Sequence, residues 1–151
     1  MAGLVILVPA RLADARGYFC EIYNERRWAA AGVERHFVQD NISLSHSPGT
    51  LRGLHFQREP FAQAKLVTVL RGAVKDVVVD LRRSSETFGR HFTVALSAAG
   101  GEQLYIPEGF AHGFITLEPD TLLAYKVTAF YSAGHDDGIR FPFIDDQTNL
   151  L

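Results

Sequence analysis

Two histidines and a lysine are the residues of this chain whose types and spacing best suit chemistry. His55 and His112 each stand on a predicted β-strand shortly after a glycine-marked bend, and Lys65 stands on the next predicted strand after His55. An imidazole can take and return a proton at neutral pH, and an ammonium can stabilise negative charge on a carbonyl oxygen. If two hairpins of one barrel point these side chains into a common interior, they suit the removal of a proton from a carbon beside a ketone.

The two glycine-to-histidine stretches resemble the sequence motifs of the cupin superfamily. Gly101–His112 matches the second motif in the spacing of its glycines, proline and histidine, and Gly49–His55 resembles the opening of the first. A metal-binding cupin usually has another histidine where this chain has Gln57 and a glutamate where it has Lys65. Because an ammonium has no lone pair and two histidines alone bind zinc or iron poorly, we expect a site without metal.

Composition and charge disfavour several kinds of partner. The chain has 151 residues, enough for one domain, with 15 Lys and Arg scattered among 17 Asp and Glu. Its sequence pI is near 6.3, so we expect neither a nucleic-acid nor a membrane partner. The single cysteine, Cys20, cannot pair within the chain, and the sequence shows no leader-like start or long apolar stretch. We therefore expect a cytoplasmic protein.

One short helix is predicted near the N-terminus. Asn24 can cap the free amides at its start, and Glu25 suits the positive end of its dipole. Gly32 can adopt the left-handed conformation that ends a helix. The sequence therefore predicts a helix over Glu25–Ala31.

The rest of the chain is predicted to be β-structure. Short apolar runs alternate with glycine and proline turns at intervals typical of an antiparallel sandwich or barrel. Near the N-terminus we expect a strand at Leu4–Val8, a polar turn at Arg11–Gly17 and a half-buried strand at Tyr18–Tyr23. Later strands are predicted at Lys65–Leu70, Val74–Leu81, Phe92–Leu96 and Leu122–Thr128.

Six stretches follow one another in an order and spacing specific to one enzyme family. They are Phe37–Ser43, Leu51–Gln57, Gln63–Val67, Val79–Arg82, Ile106–Phe114 and Tyr125–Thr128. Together they resemble dTDP-4-dehydrorhamnose 3,5-epimerases and related nucleotide-sugar enzymes. The resemblance implies an all-β fold, a cupin-type antiparallel β-barrel (jelly roll) with one short N-terminal helix. In a single domain, residues 1–48 would hold the N-terminal strands and helix, 49–130 the barrel core and 131–151 a shortened tail.

The resemblance implies a cofactor-independent isomerase acting on a nucleotide-linked 4-keto-6-deoxy sugar. The keto group acidifies the hydrogens on both neighbouring carbons, so a base on one face can make an enolate and an acid on the opposite face can return the proton. By the resemblance, His55 is the base and Lys65 helps to hold the enolate oxygen. Tyr131 is the proton donor, since a phenol stays protonated at neutral pH. No metal or redox cofactor is needed, and C3, C5 or both are inverted.

The same resemblance implies a set of substrate-binding residues and a homodimer. Arg52 matches a pyrophosphate clamp, a role that suits its planar guanidinium. An N-terminal segment is expected to reach the nucleotide, often across a dimer interface, and several polar side chains are expected to line the pocket. The segment contributes Arg16, Phe19 and Glu21, and the lining residues are Gln39, Asn41, Gln57 and His112.

The C-terminal tail departs from the family pattern. Family members continue through a tryptophan-containing segment to an aspartate that hydrogen-bonds the catalytic histidine, whereas the tail here is short. Phe141 or Phe143 stands in place of the tryptophan, and Asp145 or Asp146 lies at about the distance of the aspartate. We take Asp145 as that aspartate and expect the short tail to affect the rate, the size of the substrate or the number of carbons inverted.

Other functions stay open on the sequence. The pocket could epimerise a single carbon, or act on another nucleotide-linked keto sugar such as a keto-heptose. The chain could also be a non-catalytic module that binds a nucleotide sugar. A metal-dependent cupin dioxygenase using His55, Gln57 and His112 is a further alternative, which Lys65 disfavours because it stands where a ligand is needed.

Overall fold

Two β-sheets, a hairpin and a short helix make up residues 1–140, the part of the chain that the computed structural model describes. The helix α1 spans Glu25–Ala30. No helix in this part has the length and apolar character needed to span a membrane. The strands are β1 (Val5–Leu7), β2 (Arg11–Asp14), β3 (Gly17–Cys20), β4 (Gln39–Ser45), β5 (Leu51–Gln57), β6 (Lys65–Arg71), β7 (Ala73–Asp80), β8 (His91–Ser97), β9 (Gln103–Ile106), β10 (Phe110–Thr116), β11 (Thr121–Val127) and β12 (Asp136–Gly138).

The two sheets are antiparallel and share one core. The first has the strand order β1-β9-β6-β11-β4 and the second the order β12-β5-β10-β7-β8. Apolar side chains from both sheets pack together, among them Val67 and Leu104 of the first and Val78 and Leu96 of the second. The prediction of an all-β protein with one short helix is confirmed. The four strands predicted from residue 65 onward are observed with ends within one residue of the predicted ones.

The helix α1 begins and packs as its sequence predicts. Asn24 Oδ1 accepts a hydrogen bond from Arg27 N (3.2 Å), which satisfies one free amide of the first turn. The helix ends at Ala30, one residue earlier than predicted. Gly32 follows with φ +95°. The buried Trp28 packs the helix against the face of the first sheet that points away from the shared core.

The hairpin formed by β2 and β3 corrects two expectations. The first four residues of the predicted polar turn form strand β2. The turn itself consists of the two residues between Asp14 and Gly17. Asp14 Oδ1 accepts a hydrogen bond from Arg16 N (2.8 Å) and Gly17 adopts φ +135°, which together close the turn. The strand predicted to be half buried is exposed, with Tyr18 60% and Phe19 69% accessible. The reason is that the hairpin pairs with neither sheet of the described chain.

The short strand β12 has no counterpart in the sequence prediction. It pairs with β5 so that Gly138 lies opposite His55 and Asp136 opposite Gln57. A Cβ atom on Gly138 would lie 3.4 Å from His55 Cδ2, so the backbone at Gly138 packs directly beside the imidazole. The strand therefore forms one side of the region around His55.

Candidate active site

A cavity of about 430 Å³ opens between the two sheets. His55 and His112 are direct register partners on β5 and β10 of the second sheet, and Lys65 comes from β6 of the first. The structure thus brings these three side chains into one cavity, as the sequence predicts. The full lining consists of Ser43, Leu51, Arg52, Gly53, His55, Lys65, His112, Gly113, Phe114 and Tyr125.

Gly53 lets β5 and β10 approach each other closely beside this cavity. It has φ +102°, and a Cβ atom there would lie 2.5 Å from the backbone oxygen of His112. The pairing of the two strands also shifts register between His112 and Phe114. A larger residue at position 53 would push the strands apart and separate the two imidazoles.

His112 is held by a buried carboxylate on the neighbouring strand β7. Its Nε2–H donates to Asp76 Oδ2 at 2.8 Å, and both side chains are buried. The other oxygen of Asp76, Oδ1, has no hydrogen-bond partner among the described residues. Because Nε2 is engaged by Asp76, Nδ1 is the ring nitrogen of His112 that is left for a ligand.

The amine of Lys65 is buried in the cavity wall. Burial lowers the pKa of Lys65 from 10.5 to about 8, while the charges of Asp136 and Asp76 act in the opposite direction. Lys65 Nζ donates to the backbone oxygen of His55 at 3.5 Å. At neutral pH the amine is therefore mostly charged but poorly solvated, which strengthens its attraction for a negative oxygen.

His55 is the more exposed of the two histidines. Its side chain lines the main cavity and also a second cavity of about 180 Å³. Within residues 1–140, its one hydrogen bond outside the strand pairing is made by its backbone oxygen, so the imidazole is not tied to another side chain there. An accessible ring nitrogen facing a cavity is what a general base requires.

The second cavity adjoins the first, since His55, Lys65 and Tyr125 line both. Three of the four polar residues that the sequence assigns to pocket lining, Gln39, Asn41 and Gln57, lie here, whereas His112 lines the first cavity. The remaining lining residues are Gln39, Asn41, Phe56, Gln57, Gln63, Tyr131 and Asp136.

Two tyrosines lie near the histidines. Tyr131, the predicted proton donor, is 59% exposed, and its hydroxyl donates to Asp136 Oδ2 at 3.4 Å. Tyr125 is half buried and lines both cavities. Burial raises the pKa of Tyr125, with a smaller lowering by the charge of Arg52 and a smaller raising by that of Asp136. Tyr125 therefore keeps its proton at neutral pH and is a second candidate donor, which the sequence analysis missed.

Asp76 and Tyr125 were both missed, although the alternation of their strands carries a signal for each. Tyr125 shares a face of β11 with the buried Leu123, and Asp76 shares a face of β7 with the buried Val78. A carboxylate or phenol on the inward face of an apolar strand needs a partner or a cavity. The position of each residue on the inward face of an apolar strand is therefore a signal by which the sequence could have identified it.

Arg52 is oriented at the cavity by two hydrogen bonds. Its Nε donates to Ser45 Oγ and its Nη2 to Leu44 O, each at 3.0 Å. These bonds leave other guanidinium N–H groups for a ligand. A fixed guanidinium at a cavity suits an anionic group such as a phosphate.

The sequence matches one family model over almost its whole length. The model, described as dTDP-4-dehydrorhamnose 3,5-epimerase, covers residues 1–148. The chain belongs to this epimerase family. A curated dTDP-4-dehydrorhamnose 3,5-epimerase from Sinorhizobium fredii is 50% identical over 141 residues, which are 93% of this chain and 72% of that relative.

Solved structures of family members have the same fold. The dTDP-4-dehydrorhamnose 3,5-epimerase of Bacillus anthracis, with TDP and PPi bound, gives a TM-score of 0.90 at 49% identity and covers 92% of this chain and 79% of its own. A dTDP-6-deoxy-D-glucose-3,5-epimerase from Legionella pneumophila, in complex with dTDP-4-keto-L-rhamnose, gives 0.89 at 42% identity, over 94% and 75%. The cupin-type antiparallel fold expected for this epimerase family is confirmed.

Three N-terminal residues of the expected epimerase site are not among those lining the two cavities. Arg16 pairs with Asp14 in the hairpin turn (2.6 Å), and Glu21 pairs with Arg27 of α1 (3.0 Å). Phe19 projects from β3 into solvent. The structure does not bring these side chains to the site of their own chain, and their role in nucleotide binding stays a prediction.

Two further expectations for an epimerase site are not tested by the described residues. Asp145, the predicted partner of His55, lies outside them. Within residues 1–140, no group of three or more His, Cys, Asp and Glu side chains is arranged to hold a metal ion. The His55–Asp145 pair and the metal-free site therefore stay predictions.

Proposed function

We propose that the protein is an isomerase that epimerises a dTDP-linked 4-keto-6-deoxy sugar at C3 and C5 without a metal or redox cofactor. The observation that supports this most is the grouping of His55, Lys65, His112 and Tyr125 about one cavity in a member of this family. A family member from Legionella pneumophila has been solved with dTDP-4-keto-L-rhamnose, a sugar of this class.

The reaction is proposed to begin with removal of a proton beside the ketone. The C4 ketone acidifies the hydrogens at C3 and C5, and His55 takes one of them while the bonding electrons move onto the C4 oxygen. When a proton returns to the same carbon from the opposite face, the ketone is restored and the carbon is inverted. The steps balance without any co-reactant, and the accessibility of the His55 ring supports its role as base.

The negative charge on the C4 oxygen is proposed to be stabilised by Lys65 and His112. The buried ammonium of Lys65 is poorly solvated, so it interacts strongly with an oxyanion. Asp76 orients the ring of His112 through the 2.8 Å hydrogen bond and leaves Nδ1 for the ligand. Removing one such group typically costs about 100-fold to 1,000-fold in rate.

The returning proton is proposed to come from a tyrosine, and Tyr125 is the better supported of two candidates. Tyr125 lines the cavity that holds both histidines, whereas Tyr131 lines only the adjoining one. Tyr125→Phe should allow solvent exchange at carbon by His55 but reduce the ratio of inversion to exchange. Tyr131→Phe should leave that ratio unchanged, and the opposite pattern would assign the donor to Tyr131.

The nucleotide end of the substrate is proposed to bind at Arg52. Its guanidinium is held by Ser45 and Leu44 and can present its remaining N–H groups to the pyrophosphate. Gln39, Asn41 and Gln57, in the adjoining cavity, are proposed to line the same pocket. Arg16 and Phe19, which are exposed on the hairpin, and the half-buried Glu21 just after it would then contact the nucleotide in a partner subunit.

A homodimer is proposed from the apolar surface that one chain leaves exposed. Ile42 on β4 is 73% exposed, and Leu44 and Ile22 nearby are also exposed. Because β4 is the last strand of the first sheet, a second copy could cover both its apolar side chains and its unpaired edge. Ile42→Lys should then shift the protein to monomers in analytical ultracentrifugation.

The lone thiol of Cys20 supports a cytoplasmic location for the dimer.

Proton NMR in deuterium oxide tests the reaction against its alternatives. With dTDP-4-keto-6-deoxyglucose, the purified protein should remove the C3 and C5 signals. Loss of only one of the two signals would indicate a mono-epimerase. Exchange seen only with another nucleotide-linked keto sugar, such as a keto-heptose, would mean that this other sugar is the substrate. Binding of nucleotide sugars without exchange on any of them would indicate a non-catalytic binding module and contradict the proposal.

A further inference from the structure

The backbone of residues 129–132, here called the mouth segment, is held by three glutamine side chains. Each of its four consecutive residues offers one backbone group to a glutamine from β4, β5 or the loop before β6. The convergence of three separate parts of the chain on one short segment fixes its position. The contacts are Gln63 Nε2 to Ala129 O (2.8 Å), Gln57 Nε2 to Phe130 O (3.2 Å), Tyr131 N to Gln39 Oε1 (3.1 Å) and Ser132 N to Gln57 Oε1 (2.7 Å).

Gln57 is the centre of this arrangement. Its Nε2 also donates to Phe61 O at 2.7 Å, so one buried carboxamide joins the loop after β5 to the mouth segment. Its side chain thus makes three hydrogen bonds, all to backbone groups, and both N–H donors are used within the chain. A glutamine bonded in this way has no N–H left to donate to a substrate.

The mouth segment carries two exposed rings at the edge of the site. Phe130 is 65% and Tyr131 59% exposed, and Tyr131 lines the second cavity together with His55. The hydroxyl of Tyr131 has a long contact of 3.4 Å to Asp136. This contact holds the ring only weakly. The position of the Tyr131 ring therefore depends on the backbone of the mouth segment, which the glutamine side chains hold in place.

We propose that Gln57, supported by Gln39 and Gln63, is a positioning residue that fixes Tyr131 at the edge of the substrate cavity. Gln57 acts through the mouth segment, since its donors are already used. The effect on catalysis rests on the proposed epimerase function, whereas the effect on the mouth segment does not. One measurement therefore tests whether Gln57 holds the mouth segment, and a second tests whether this affects catalysis.

Amide hydrogen exchange followed by NMR without substrate tests the positioning. Gln57→Leu removes all the hydrogen bonds of this side chain, and the Ser132 amide should exchange at least about tenfold faster. Gln103→Leu is the matched control, because Gln103 is also buried and also makes three side-chain hydrogen bonds, on the outer side of the first sheet. The control should leave the exchange of Ser132 as in the wild type.

A double-mutant cycle in kcat/KM tests the link to Tyr131. Gln57→Leu should lower kcat/KM about tenfold in the wild-type chain and have little further effect in a Tyr131→Ala chain, because the positioned ring is then gone. A purely structural loss, as expected for Gln103→Leu, would be the same in both chains. Should Gln57→Leu not fold, Gln63→Ala, which removes only the bond to Ala129, replaces it in both measurements with a smaller expected effect of the same pattern.

The outcomes distinguish the two proposals. Unchanged exchange of Ser132, unchanged kcat/KM, or an equal loss of kcat/KM in both chains would overturn the positioning role of Gln57. A wild-type protein that shows glutamine-dependent protection of Ser132 but exchanges no keto sugar would contradict the epimerase function and leave the held mouth segment in place. Faster exchange of Ser132 together with a loss of kcat/KM that depends on Tyr131 is the result we expect.

Discussion

Lys65→Met should make the protein more stable at neutral pH while removing the proposed activity. Methionine keeps most of the length of the side chain but carries no charge, and position 65 is buried. Because burial disfavours the charged amine, Lys65 lowers the free energy of unfolding relative to a neutral side chain at the same position. In the proposed reaction, that cost is the consequence of keeping a poorly solvated cation beside the enolate oxygen.

The expected gain follows from the pKa of Lys65, which burial lowers from 10.5 to about 8. With about 1.4 kcal/mol per pKa unit, holding the charged amine in the folded state at pH 7 costs up to about 3 kcal/mol. Because the folded pKa lies below the unfolded one, the unfolded chain binds more protons between these two values. The cost is therefore full below about pH 8 and disappears as the pH rises towards 10.5. The pKa of about 8 already includes the attraction of Lys65 to Asp136 and Asp76, so we expect a gain of up to about 3 kcal/mol in the free energy of unfolding.

Urea unfolding at pH 7 and at about pH 9.5 measures this difference. The variant should be more stable than the wild type at pH 7, and the gap should narrow at the higher pH. Lys126→Met is the control, because Lys126 pairs with Asp40 at the surface (2.9 Å) and should give neither effect. A Lys65→Met protein that is less stable at pH 7, or a stability difference that does not change with pH, would contradict a buried, charged Lys65. Full solvent exchange at C3 and C5 by the variant would contradict its role in the reaction.

Three other changes have expected outcomes. Asp76→Asn removes a charge that raises the pKa of Lys65, so the alkaline limb of the kcat/KM profile should move to lower pH. Arg52→Lys should raise KM about tenfold with a smaller change in kcat, because it loses the bidentate fork proposed to hold the pyrophosphate; steady-state kinetics measure this. Asn24→Ala removes the hydrogen bond to Arg27 N and should lower the free energy of unfolding by about 1 kcal/mol in urea titrations, without affecting kcat/KM.

Much of the fold follows from local patterns. Apolar alternation locates β6, β7, β8 and β11, and the Asn24 cap locates the start of α1, because both depend on neighbouring residues alone. The hairpin of β2 and β3 and the strand β12 are short and polar, so they lack that signal. β12 becomes a strand because β5 offers it an edge, and such a pairing between distant segments is not visible in a local sequence.

The sequence predicts those residues of the site that lie within recognisable motifs. His55, Lys65 and His112 lie on matched stretches, and the pairing of β5 with β10 brings the two histidines together. Tyr125 and Asp76 were missed because their importance depends on which face of a strand meets the cavity. The hydrogen bonds of the glutamines to the mouth segment depend on three loops and strands meeting in space, for which single-chain spacing gives no rule.

Solvent deuterium incorporation by a His55→Ala variant shows whether His55 is the base of the proposed reaction. Proton NMR of dTDP-4-keto-6-deoxyglucose in deuterium oxide follows the C3 and C5 signals separately. His36→Ala is the matched control, since His36 pairs with Glu25 at the surface (3.4 Å). We expect the wild type and the control to lose both signals, and the folded His55→Ala protein to leave both intact. Full incorporation by His55→Ala would rule out His55 as the base.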